Sequence, residues 1–329
     1  MDTMIADRPG PGAAGAAPAP VAVRMAGLTK RYGARAAVDH LTTDVPTGVV
    51  CGFVGPNGAG KTTTIRMLLG LVRPSEGTAE VLGHHVSDPS AYLDRVGALI
   101  ESPAFYPTLS GRKNLRVLAR LAGLPDERVD AVLAQVGLAD RAGDLFRSYS
   151  LGMKQRLGIA SALLGDPDLL ILDEPTNGLD PPGIREVRAL LSNLAAAGKT
   201  VLVSSHLLDE LQHVAGHLIM IDSGRLVFAG PVDELLAAQA SELRASPERA
   251  GDLPALVELC RQAGFRAEAR DGELRVAAPT QWAGELNRRS MAAGITLTAL
   301  GAAPARLEDV FFTLTAREPG APEHERVQA

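Results

Sequence analysis

The sequence predicts an α/β fold followed by a small α+β unit, and three stretches carry the prediction. Val49-Val50-Cys51-Gly52-Phe53-Val54 runs into the glycine-rich Gly55-Pro56-Asn57-Gly58-Ala59-Gly60-Lys61-Thr62-Thr63 and then Thr64-Ile65-Arg66-Met67-Leu68-Leu69, which reads as strand, turn and helix. Leu169-Leu170-Ile171-Leu172 is a buried strand delivering Asp173 and Glu174 at its end, and Thr200-Val201-Leu202-Val203-Ser204-Ser205 is another ending at His206. Ligands of such sheets bind at the carboxyl ends of the strands, so the three ends are expected to meet at one site.

The composition sets bounds. A chain of 329 residues, 46% of them hydrophobic, is long enough for one large α/β domain and a smaller one. A net charge of -5 gives no general electrostatic drive towards nucleic acid or anionic lipid. Cys51 and Cys260 are the two cysteines, far apart in sequence, which argues against a disulfide framework and for a reducing compartment. Asp166 and Asp168 break the longest apolar candidate, so no transmembrane helix is expected.

Residues 1–20 are rich in Ala, Gly and Pro and lack the basic end and apolar stretch of a signal peptide, so they are expected to form a disordered tail. A strand from Val21 to Met25, the segment Leu28 to Gly33 and a second strand near Ala37 to Val45 come next. Tyr32 stands just upstream of the glycine-rich loop, where an adenine ring could stack on it; ordinary exposed surface is the plainer reading. In the loop, three glycines let successive N–H groups turn towards a phosphate chain, and the following helix adds the positive end of its dipole. Lys61 brings a full charge to the β- and γ-phosphates, and the Thr62 hydroxyl is placed to ligand Mg²⁺. This chemistry binds a nucleoside triphosphate.

Further on, Arg73 to Gly77 reads as a turn, Thr78 to Leu82 as a short strand, and Val96 to Glu101 as a strand ending on a carboxylate. From about Ser110 to Ala142, apolar residues such as Leu115, Leu118, Val129 and Val132 recur at helical spacing, which predicts a helical insertion. Tyr149-Ser150-Leu151-Gly152-Met153 leads into another helix, with Ser150 and Gly152 at an N-terminus suited to an anion. Asp173 and Glu174 suit Mg²⁺ coordination by the first and water activation by the second. His206 is expected near the γ-phosphate. His213 and His217 lie at i,i+4; no Cys or carboxylate completes a metal site around them, and a polar helix face is the expected explanation.

Beyond Leu236, Ser246-Pro247 and Gly251-Asp252 suggest a junction. A helix near Leu253 to Gly264, strands flanking Asp271-Gly272, a helix around Thr280 to Ala293, a strand near Ile295 to Leu300 and a final helix through Leu307 to Phe312 follow.

Taken in order, Tyr32, the loop Gly55 to Thr63, Tyr149 to Met153, Leu169 to Asp173, Glu174, the loop ending in Asp180, and His206 resemble the motif series of the ABC transporter ATPases, over about Val21 to Leu236. Within that family the chain looks most like the ATP-binding subunits of bacterial drug exporters, including antibiotic self-resistance systems. The resemblance implies a P-loop ABC-type nucleotide-binding domain over 21–240 with a helical subdomain at about 101–160. Residues 241–316 resemble the small α+β accessory domain that follows some exporter cassettes, and residues 317–329, mostly polar, are expected to form a disordered tail. ATP and Mg²⁺ are the implied ligands: adenine on Tyr32, phosphates on Gly55 to Thr63, Mg²⁺ on Thr62 and Asp173, Glu174 as general base and His206 as γ-phosphate sensor. Ser150, Gly152 and Asp180 are implied to join the nucleotide site.

Two positions depart from the family pattern. Leu151 replaces the first glycine of Leu-Ser-Gly-Gly-Gln, so a positive φ there would be strained. Glu101 replaces the usual Gln of the loop that approaches Mg²⁺, which makes it a further candidate metal ligand. That loop meets the membrane subunit in the family, so Phe105, Tyr106 and Pro107 are candidates for the contact, with ordinary loop packing as the alternative.

In the family the signature of one cassette closes over ATP held by another. The resemblance therefore implies a head-to-tail homodimer, a separate integral membrane permease, and a cytoplasmic position against the inner face of the cell membrane. A soluble ABC-type ATPase acting on ribosomes or nucleic acid is the rival reading, but the paired cassettes, long coiled coils or zinc insertions usual there are not evident. A generic P-loop kinase or GTPase would leave the signature and His206 unexplained.

Overall fold

A computed structural model of the chain describes residues 20–101, 104–237, 242–303 and 307–315. The expected tails at 1–20 and 317–329 lie, but for Pro20, outside the described residues.

The chain opens with β1 (Val21–Tyr32), β2 (Arg35–Pro46) and β3 (Val50–Val54), followed by α1 (Lys61–Leu68), β4 (Glu76–Val81), β5 (His84–His85) and β6 (Val96–Leu99). Three helices come next: α2 (Gly111–Leu121), α3 (Asp126–Gln135) and α4 (Leu151–Leu163). The alternating part then runs β7 (Leu169–Asp173), α5 (Pro181–Ala196), β8 (Thr200–Ser205), α6 (Leu208–Leu211), β9 (His217–Asp222), β10 (Arg225–Pro231) and α7 (Val232–Ala237). The last segment holds β11 (Glu242–Pro247), α8 (Leu253–Gln262), β12 (Ala267–Arg270), β13 (Glu273–Ala277), α9 (Ala283–Ala292), β14 (Leu297–Ala303) and α10 (Leu307–Thr315).

The central sheet has the order β10-β9-β3-β8-β7-β6, with β9, β3, β8, β7 and β6 parallel and β10 antiparallel at one edge. Its inner strands β3, β8 and β7 are buried on both faces, which is why they read as nearly continuous apolar runs. Val54, Leu170, Leu172, Val201 and Val203 face a core shared with α2, α3, α4 and α5. Their neighbours Cys51, Phe53, Leu169, Ile171 and Leu202 face a second core, shared with α1 and with the antiparallel sheet β2-β1-β4-β5. Burial raises the Cys51 thiol far above its ordinary pKa, so it is an inert core group.

Helix starts follow their caps. The Ser110 hydroxyl accepts the Lys113 N–H at α2, the Ser150 hydroxyl accepts the Met153 N–H at α4, and the Asp180 carboxylate accepts the Gly183 N–H at α5. Pro181 follows Asp180 at the first turn, where its missing N–H costs no hydrogen bond.

The third sheet, β12-β13-β11-β14, is antiparallel and carries α8 and α9 over a separate core of Leu243, Leu256, Cys260, Leu274, Val276 and Leu286. Its order of elements is the split β-α-β motif. Afterwards α10 lies against α6 and α7: Leu307 and Val310 join the first core, and the Leu307 N–H donates to Gln212 Oε1 at 3.1 Å.

Several local expectations change. β1 continues to Tyr32 instead of ending at Met25, because shifts in its pairing with β2 beyond Met25 absorb an irregularity at Gly27 (φ +59°). Ser246-Pro247 is not a junction but the end of β11, an inner strand of the third sheet. His213 and His217 do not share a helix face: His213 lies in a turn after α6, and His217 opens β9, where burial lowers its pKa. Among the described residues no helix is long and apolar enough to cross a membrane.

Candidate nucleotide site

β3 hands the chain to the glycine-rich loop, and the loop shape depends on two glycines. At Gly60, the N-cap of α1, φ is +105°, and a Cβ would meet the Ala37 carbonyl oxygen at 2.4 Å. At Gly55 a Cβ would meet the Ile221 carbonyl oxygen at 2.3 Å, so β10's partner strand and β2 press the loop from two sides. No larger residue fits either place without moving backbone.

Lys61, the first residue of α1, is 6% exposed, and its Nζ donates to the carbonyls of Gly55 at 2.6 Å and Pro56 at 3.3 Å. It also lies 3.3 Å from Glu174 Oε1. A buried ammonium surrounded by oxygen is suited to phosphate oxygens as well. Thr62 Oγ1 donates to Asp173 Oδ2 at 2.8 Å, so the predicted pair of hard oxygen donors meets across 111 residues of sequence. Few protein ligands on one side of a site, with the rest left to phosphate and water, is the usual way Mg²⁺ is held. The residues therefore fit that ion.

Glu174 follows β7 with φ +49°, a left-handed backbone that turns its side chain back over the loop. Its Oε2 accepts from His206 Nδ1 at 2.7 Å. An ionised carboxylate only accepts, so Nδ1 carries the proton in this contact and Nε2 is left to meet another group. The adjacent strands β7 and β8 hold the pair, with Asp173 opposite Ser204 in the parallel register. Thus Lys61, Glu174 and His206 form one connected row.

The row borders a cleft of about 560 Å³ whose lining includes Tyr32, Gly58, Lys61, Thr62, Glu174 and His206. Tyr32, 53% exposed, stands at its rim with Lys30 Nζ 5.2 Å from the ring centre. Arg35 and Asn177 also line the cleft. Arg35 carries no motif of its own, and the two-residue turn Gly33-Ala34 is what pairs it with Tyr32 across the hairpin.

Other predicted residues stand elsewhere. Gly55 and Asp173 lie behind the lining of the cleft, joined to it through Lys61 and Thr62, whereas Ser150, Gly152 and Asp180 are outside it without such a link, and Ser150 and Asp180 cap helices on the same chain. Glu101 also lies outside the lining, has φ +59°, and pairs its carboxylate with Arg66 of α1. Leu151 does not adopt positive φ: it is the first residue of α4 after the Ser150 cap, a position with ordinary helical geometry, so the expected strain is absent. Phe105 packs edge-on to Phe146 at 5.2 Å and joins the helical core, whereas Tyr106 is 64% exposed.

Residues 38–177 match the family model described as ABC transporter. The chain is 40% identical over 295 residues to the bacitracin transport ATP-binding protein BcrA of Bacillus licheniformis, covering 89% of this chain and 96% of that one. It is 41% identical over 227 residues to the daunorubicin/doxorubicin resistance ATP-binding protein DrrA of Streptomyces peucetius, covering 68% of this chain and 69% of the relative. Among solved structures it resembles cbiO1 from Clostridium perfringens, part of the ABC transporter complex cbiONQ. That likeness has a TM-score of 0.61 and 25% identity, over 67% of this chain and 92% of that one.

Proposed function

Since this chain belongs to the ABC transporter family, whose cassettes bind and hydrolyse ATP, we propose that it is the ATPase subunit of a bacterial exporter acting through a separate membrane permease. The observation that carries the chemistry is the row Lys61–Glu174–His206 along one cleft. Its relatives' names point to a drug or antibiotic as cargo, and they favour a transporter over an ATPase acting on ribosomes or nucleic acid.

In this reading the adenine stacks on Tyr32, and the Gly55 to Thr63 backbone with Lys61 holds the phosphates. Thr62 and Asp173, with Glu101 as a further candidate, would hold Mg²⁺, which when bound would supply charge neutralisation for the phosphates. Glu174 accepts a proton from the attacking water as the water oxygen bonds to the γ-phosphorus and the bond from that phosphorus to the β,γ-bridging oxygen breaks, so that ADP leaves and inorganic phosphate is formed. His206 orients Glu174 through Nδ1 and presents Nε2 towards the γ-phosphate. Preorganised charge of this kind does most of the work in phosphoryl transfer.

Ser150, Gly152 and Asp180 lie outside the cleft of their own chain, which favours a head-to-tail homodimer in which a second copy supplies them to the nucleotide. Such a dimer would sit on the cytoplasmic face of the membrane against the permease. Sedimentation of the Glu174→Gln protein tests the dimer: ATP with Mg²⁺ should double the mass and ADP should not. A mass unchanged by ATP would remove the second copy from the site.

A further inference from the structure

We propose that Ser204 is a positioning residue of the ATPase reaction, its buried hydroxyl fixing the Asp173 carboxylate and the Glu174 backbone against each other. This rests on the reading of Asp173 as metal ligand and Glu174 as base given above.

Ser204 is fully buried on β8, directly opposite Asp173 of β7. The Glu174 N–H donates to its Oγ at 2.9 Å, and Oγ donates to Asp173 Oδ1. Proton counting leaves one arrangement. A backbone N–H only donates, so the hydroxyl must accept there and has its single proton left for the carboxylate.

Two consequences follow from that arrangement. Asp173 has one oxygen taken by Ser204 and the other by Thr62, so its carboxylate is held in one orientation beside the first turn of α1. Glu174 sits at φ +49°, a conformation that favours glycine, and Ser204 anchors its N–H at that residue. One side chain therefore sets the register between the group that would hold the ion and the group that would take the proton. Ser204→Ala would leave the part-buried Glu174 N–H without this partner and remove one of the two hydrogen bonds that hold the Asp173 carboxylate.

The test compares Ser204→Ala, Ser204→Thr and Asp173→Asn with the parent in two measurements. One is steady-state turnover. The other is the equilibrium affinity for AMP-PNP, a non-hydrolysable ATP analogue, with and without Mg²⁺. Ser204→Ala should lower turnover by about 10- to 100-fold, the usual effect of removing a group that orients a metal ligand. It should also shrink the gain in AMP-PNP affinity that Mg²⁺ brings, while the Mg²⁺-free affinity stays near the parent's. Ser204→Thr, which restores a hydroxyl, should recover most of both.

A parental Mg²⁺ gain in Ser204→Ala would overturn the proposal, whatever happens to turnover, because a merely structural role would not touch that quantity. If Asp173→Asn also keeps the full gain, the assignment of Asp173 fails instead, which separates the two failures. Should Ser204→Ala not fold, Ser204→Cys keeps the volume with a much weaker donor and acceptor and carries the same expectation.

Discussion

Glu174 Oε2 lies 2.7 Å from His206 Nδ1, while the other oxygen of the same carboxylate lies 3.3 Å from Lys61 Nζ. The carboxylate is thereby held at both ends, by groups from β8's end and from the first turn of α1. Glu174→Gln should reduce ATP turnover by about 10² to 10⁴-fold, the range for loss of a general base, with nucleotide binding retained. His206→Ala, which frees one end of the carboxylate, should cost about 10²-fold. Steady-state phosphate release measures both, and turnover within a few-fold of the parent would remove that residue from its role.

Gly60 and Gly83 both have positive φ, but their surroundings differ. A Cβ at Gly60 would lie 2.4 Å from the Ala37 carbonyl oxygen, whereas nothing lies within 4 Å of one at Gly83. Gly83→Ala should cost about 1 kcal/mol for its backbone alone. Gly60→Ala should cost about 2–4 kcal/mol and lose ATP affinity, because β2 and the loop must part. Thermal unfolding of the two variants gives the comparison, and equal Tm values would contradict the crowding at Gly60.

Leu151 takes ordinary helical geometry at the start of α4, and its Cδ2 lies 3.1 Å from where a Cβ of Gly178 would stand. Leu151, 50% exposed, belongs to no core, so Leu151→Gly relieves no strain and gives up helix propensity. A loss of about 0.5–1 kcal/mol is expected in chemical denaturation. A gain in stability would mean that the leucine is strained after all.

Glu101 stands outside the cleft and is paired with Arg66, which competes with any other use of its carboxylate. The pair is exposed, so Glu101→Gln should change stability by no more than about 1 kcal/mol. Mg²⁺ titrations of hydrolysis are the sensitive readout: Glu101→Gln and Arg66→Ala should shift the half-saturation in opposite directions. Titrations identical to the parent's in both variants would take Glu101 out of the ligand set.

Much of the site was legible because strand-end chemistry needs little tertiary information. Val50 to Val54, Leu169 to Leu172 and Val201 to Val203 are continuous apolar runs of strand length, which points to inner strands, and parallel order brings their ends together. What escaped depends on pairing. Ser204 reads as one more small strand residue until the β7–β8 register sets it opposite Asp173. Strain at Leu151 would require a positive φ, and the residue after the Ser150 cap takes helical geometry, a backbone detail that the residue type alone does not reveal. His213 and His217 share helical spacing but fall on either side of a turn, since α6 stops at Leu211. The packing of α10 on α6 and α7 joins residues about 95 positions apart, which local periodicity cannot reveal.

The most direct measurement of the central claim is purification of the tagged chain from its native cells in mild detergent, with identification of what accompanies it. An ATPase subunit of an exporter should bring a polytopic membrane protein at near-equal stoichiometry. Ribosomes or nucleic acid in its place, with no membrane protein, would contradict the transporter reading and leave only the ATPase chemistry.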